Sequence, residues 1–171
     1  MISDFLLENS ALMPVLLALT AVLCVGVGYP LRRRHRVLWV LAALSMVPVL
    51  ALTFGPGSGR VFVVCVVQFS LPTFGSVELL ANVALLFPAV YFATLASRRP
   101  VLMLAAGVVL SAAIEVVQIF LPDIGRACDT NDWMMNSAGV IVAVLLARVT
   151  IALGSRQTSG QGPAAQGEHA A

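Results

Sequence analysis

Long apolar stretches, each closed by arginines or by proline and glycine, constrain this chain more than any other feature. The first two run from about Ser10 to Tyr29 and from about Val37 to Phe54. Three more follow, from about Val77 to Ala96, Val101 to Leu121 and Asn131 to Leu153. Each is near the ~20 residues that an α-helix needs to cross a bilayer. Composition agrees: 60% of residues are hydrophobic, against roughly 45–50% in a soluble domain. The expected fold class is therefore all-α, a multi-pass transmembrane helical bundle of five spans. It fills one domain over 1–153 and leaves no room for a soluble catalytic module. Residues 154–171 are small, polar and glycine-rich, which predicts a disordered cytoplasmic tail.

The arginines orient these spans. There are ten, with no lysine. Arg32, Arg33, Arg34 and Arg36 separate the first two spans, Arg98 and Arg99 follow the third, and Arg148 and Arg156 lie at the end of the fifth. Basic runs can signal nucleic acid, but these abut apolar spans, so they read as cytoplasmic anchors and imply no nucleic-acid partner. Residues 1–9 carry Asp4 and Glu8 without a basic residue. That is the wrong start for a cleaved secretory signal, and an uncleaved first span is expected. The predicted localisation is the cell membrane, with the N-terminus outside and the C-terminus cytoplasmic. Only Arg60 and Arg126 then fall outside.

Two features sit within this frame. Val61–Leu71 is apolar and interrupted by Gln68. It is too short to span as a helix, and periodicity leaves an interfacial strand, a re-entrant piece and a short helix all open. Pro88 inside the third span predicts a kink, since it removes an amide donor and crowds the carbonyl of Ala84. Cys24 belongs to the first span. Cys65 and Cys128 both fall in segments placed outside, where a disulfide can persist; the alternative is two thiols packed at the interface.

The polar residues are sparse and they converge. Glu78 and Asn82 open the third span, Glu115 and Gln118 close the fourth, and Asp129, Asp132 and Asn136 open the fifth. Because alternate spans run in opposite directions, all lie in the same outer layer. Ser111, Glu115 and Gln118 share a helix face, as do Asp132 and Asn136, whose row continues as Gly139, Ala143 and Ala147. Small residues at that spacing let membrane helices approach closely, so the polar groups should point into the bundle. With Arg126 from the intervening loop, we expect Asn82, Glu115, Gln118, Arg126, Asp129, Asp132 and Asn136 to form one ligand-binding pocket. Simpler roles stand beside that one. Asp129 or Thr130 would cap the fifth helix, the asparagines would be interhelical hydrogen-bond partners, and Arg126 would neutralise an acid. Glu115 is the hardest to explain without a partner, since a carboxylate inside a helical bundle must be compensated.

The chemistry open to this set is narrow. His35 and His169 are remote, which excludes Ser–His and zinc–His sites. Carboxylates can do acid–base work or bind a divalent cation, and an arginine can pair a phosphate or carboxylate. The cofactor is left open, and no metal ligand set is assigned.

The same residues carry a resemblance. Asn82-x-x-x-Leu86-Phe87-Pro88, Glu115-x-x-Gln118 and Arg126-x-x-Asp129-x-x-Asp132-x-x-x-Asn136-x-x-Gly139 together resemble the VanZ-like family of bacterial membrane proteins, over roughly residues 77–147. This chain has Pro88-Ala89-Val90 where that family often has Pro-x-Gly. The resemblance implies a multi-pass cell-envelope protein linked to teicoplanin-type antibiotic resistance, without implying a particular reaction. Three readings follow. The first is an envelope-associated binding protein for an anionic or glycan-bearing envelope lipid, with membrane lipid as its surroundings. The second is an intramembrane enzyme using Glu115 with Asp129 or Asp132 on a lipid-linked substrate. The third is a small transporter.

Overall fold

A computed structural model of the chain describes residues 11–55, 65–70, 77–120 and 128–159. Its helices are α1 (Leu12–Leu31), α2 (His35–Phe54), α3 (Val77–Leu85), α4 (Phe87–Ser97), α5 (Pro100–Ile119) and α6 (Thr130–Ser159). Taking α3 and α4 as one interrupted span, five helical units are long and apolar enough to cross a membrane. The chain is an all-α bundle of five candidate spans, as its hydropathy requires.

The first two helices are apolar all round. Val15, Leu19, Val22 and Leu23 on α1, and Val40, Leu44, Val47 and Leu50 on α2, are exposed. Such surfaces suit helices solvated by lipid. The third span is different: 56% of it is buried, against 17% for the first and fourth. Within it α4 is the hub, packing on α2 and α6 and also touching α1 and α5. Its Tyr91 is fully buried, stacks on Phe87 at 6.2 Å, and shares a 3.1 Å hydrogen bond with Thr150 of α6. The polar tip of a buried aromatic is thereby satisfied.

The expected kink takes the form of a break. Leu86 interrupts the helix, and Pro88 sits in the first turn of α4. A proline there forfeits no hydrogen bond, because the first amides of a helix have no intrahelical acceptor. The row on α6 packs as anticipated: Gly139, Ala143 and Ala147 are all buried. At Gly139 a Cβ would run into the carbonyl oxygen of Val83 and lie 2.9 Å from its carbonyl carbon. The backbones of α3 and α6 touch there, which glycine alone permits.

Two differences from the sequence reading are visible. First, α6 continues to Ser159 rather than stopping near Leu153. Gly154 does not end it, because it is buried against Arg32, and a Cβ there would lie 2.8 Å from Arg32 Cδ. The tail beyond residue 159 lies outside the described residues. Second, residues 65–70 are neither a helix nor a named strand; they form an extended strap with a single parallel bridge, Val66 to Asp129.

The arginine turns meet at one end of the bundle. Arg98 closes α4 in the left-handed conformation (φ 57°), and its Nη2 donates to the carbonyl of Arg32 at 2.9 Å. His35 Nδ1 lies 2.8 Å from the carbonyl of Ala96. These contacts join the α1–α2 turn to the α4–α5 turn.

Candidate functional site

The opposite end is organised by the start of α6. Asp129 caps that helix: its Oδ1 accepts the amide of Asn131 at 2.8 Å, and its carbonyl accepts those of Asp132 and Trp133. Its own amide donates to Glu115 Oε2 at 3.0 Å. Glu115 therefore finds a partner in the backbone at the positive end of a helix, where a carboxylate is favoured. It is buried, with 6% exposure.

The strap holds this arrangement from the other side. Cys65 and Cys128 form a disulfide with Cα atoms 4.6 Å apart, resolving the open question about these cysteines in favour of the bridge. Val66 N donates to Cys128 O at 2.9 Å, and Thr130 N to Val66 O at 3.1 Å. The Thr130 hydroxyl donates to Gln68 O and accepts from Gln68 N. Gln68 Nε2 donates to Asp129 Oδ2 at 2.5 Å, and Ser70 N to Asn131 Oδ1 at 2.8 Å. Backbone groups at a membrane-protein surface need partners, and the strap and the start of α6 satisfy each other.

Beside this start, between α2, α3, α5 and α6, lies a cavity of about 190 Å3. Thr53, Glu78, Asn82, Glu115, Gln118, Asp132 and Asn136 form its polar wall. Asn82 Nδ2 donates to Asp132 Oδ1 at 2.5 Å, tying α3 to α6 across it. Asn136 is 2% exposed, and its Oδ1 has no hydrogen-bond partner. A buried acceptor left unpaired costs about 1–3 kcal/mol. Three carboxylates and no basic side chain line the space among the described residues. Nor does any group of three His, Cys, Asp or Glu among the described residues have the placement of a metal site.

Five of the seven candidate residues, Asn82, Glu115, Gln118, Asp132 and Asn136, thus share one cavity. Asp129 does not line it; its carboxylate is taken by the cap and by Gln68. Arg126 lies outside the described residues, and so does the expected Glu115–Arg126 pair. Two participants carry weaker sequence signals. Gln68 stands out as the polar interruption of an apolar run, and that interruption was the clue to its bond with Asp129. Thr53, which brings α2 into the wall, is one of two hydroxyl residues, with Ser45, in a largely apolar helix, and nothing in its spacing distinguishes it.

The fold and this cavity define a multi-pass helical membrane protein with an acidic, amide-rich recess at one end. A model of the VanZ/LLP1 family matches residues 16–152, most of the chain, and the protein belongs to that family. No curated protein and no solved structure matches it.

Proposed function

We propose that this is an envelope-associated binding protein whose polar cavity faces outward and holds the hydrogen-bond-donating part of a membrane-borne ligand. The observation that carries the reading is Asn136 Oδ1, a buried acceptor with no partner on the cavity wall. Between an anionic and a glycan-bearing lipid, the wall favours the glycan. Hydroxyls donate to carboxylates and amide oxygens, whereas an added anion would meet Glu78, Glu115 and Asp132. The outward orientation rests on the arginine turns gathering at the other end. The link to teicoplanin-type resistance would then run through occupancy of the drug's glycan-bearing target.

Native mass spectrometry of the chain in mild detergent tests this. A glycan-bearing lipid should remain on the wild type and be lost from Glu115→Gln and Asn136→Leu. Equal retention by all three proteins would exclude the cavity as its site.

A second reading, an intramembrane enzyme, is supported by Glu115 and Asp132 sharing one cavity. It predicts that Glu115→Gln keeps the bound lipid and accumulates it unprocessed. The binding reading predicts loss of the lipid itself.

A further inference from the structure

The polar cavity does not end at its apolar floor. Thr53 and Ile114 belong both to its wall and to that of a second space of about 160 Å3, between α2 and α5. Met46 and Leu110 belong in turn both to that space and to a third, of about 280 Å3, further along the same two helices. The three spaces share walls in sequence and follow one another along the α2–α5 seam as a segmented cleft. Its upper part carries carboxylates and amides; its lower parts are almost wholly apolar.

The cleft exists because α2 and α5 both lean on the central span. Ala89 and Ala93 of α4 line it, with Ala42 and Ala43 of α2 and Ala106 of α5. Small residues ordinarily draw membrane helices together; here those of α2 and α5 border a gap. From Trp39 to Thr53 the α2 wall is about 21 Å long at 1.5 Å per residue, more than half of a ~30 Å hydrocarbon core. Both flanking helices are candidate spans, so the gap lies at membrane depth.

A polar recess adjoining a row of apolar spaces at membrane depth matches an amphiphile. Extending the binding reading above, on which this step rests, we propose that one lipid molecule occupies the whole cleft. Its donor-bearing headgroup sits against Asn136, Gln118 and Glu115, and one hydrocarbon chain lies between α2 and α5. Donors on the headgroup, hydroxyl or ammonium, would meet the unpartnered Asn136 Oδ1 and the carboxylates of the recess. The hydrocarbon chain fills the apolar slot and covers its walls.

The test uses full-length protein in vesicles and two photoreactive probes, each with a diazirine midway along one acyl chain. One is a diacyl glycosyl lipid and the other a phosphatidylethanolamine, so that hydroxyl and ammonium donors are compared. At least one probe should label 39–46 and 103–110 about ten-fold more than the lipid-facing surface of α1 around Val22. That excess should vanish in Ala43→Phe/Ala106→Phe, which fills the slot from two exposed positions, and in either Asn136→Leu or Gln118→Leu. Labelling of the slot no stronger than that of α1 would mean ordinary annular lipid and would overturn the proposal while leaving the cavity reading intact. Strong slot labelling unchanged by both headgroup variants would also overturn it, since chain and headgroup would not belong to one bound molecule. Disulfide formation between two copies of an Ala43→Cys protein, with no lipid adducts in the slot, would assign the cleft to a second copy and sink the idea equally.

Discussion

The two ends of this bundle are built from the same helices yet use polar residues in opposite ways. At the arginine end, Arg33, Arg34, Arg36, Arg98 and Arg99 are exposed, and the bonds that hold the turns involve backbone carbonyls, Arg32 O and Ala96 O. At the cavity end, Glu115, Gln118, Asn131 and Asn136 are buried, and their neighbours come from four helices and a strap. Exposed charge costs little and needs no particular partner. Buried polarity must be paired in a fixed geometry. An end that accepts the second burden is organised for recognition; one that carries only the first is organised for anchoring.

The largest effect that would break this comparison is all-or-none. Reporter fusions after Arg99 should read cytoplasmic, and fusions within 121–127 should read external. An inverted result would place the acidic recess inside the cell and remove any extracellular ligand.

Next in size is the disulfide. It closes a 63-residue separation, and cross-linking a loop of that length is worth about 4 kcal/mol in the chain-entropy account. Denatured, unreduced protein should show one free thiol, Cys24, and reduced protein all three. Cys65→Ala should lower the melting temperature in detergent and expose the strap to protease. The arginine end, which has no such staple among the described residues, should be unaffected.

A change at the α3–α6 contact should be somewhat milder. Gly139→Ala places a methyl into the Val83 carbonyl, and overpacking of this kind costs about 1–3 kcal/mol. Because Asn82 and Asp132 bridge the same two helices, ligand retention should fall with stability. A variant as stable as wild type would show that the two backbones separate readily.

The smallest effect belongs to the other end. Arg33→Gln and Arg34→Gln, both exposed, should change stability by no more than about 0.5 kcal/mol, measured by thermal melting. A large loss would mean that the arginine end is as specifically built as the cavity, and the contrast would fail.

The apolar segments determined the bundle by themselves, because a backbone in lipid has to satisfy its own hydrogen bonds and a span has a required length. The i, i+4 rows likewise made the convergence of Asn82, Glu115, Gln118, Asp132 and Asn136 legible, since helix geometry fixes both face and depth. Tertiary structure alone decided the rest. It paired Glu115 with the Asp129 amide, turned Asp129 away from the cavity into a cap and strap anchor, and brought Thr53 into the wall. It also left a slot between α2 and α5. Each depends on which helices lean on α4 and on where residues 65–70 return. Those are contacts between distant parts of the chain, and no local periodicity encodes them.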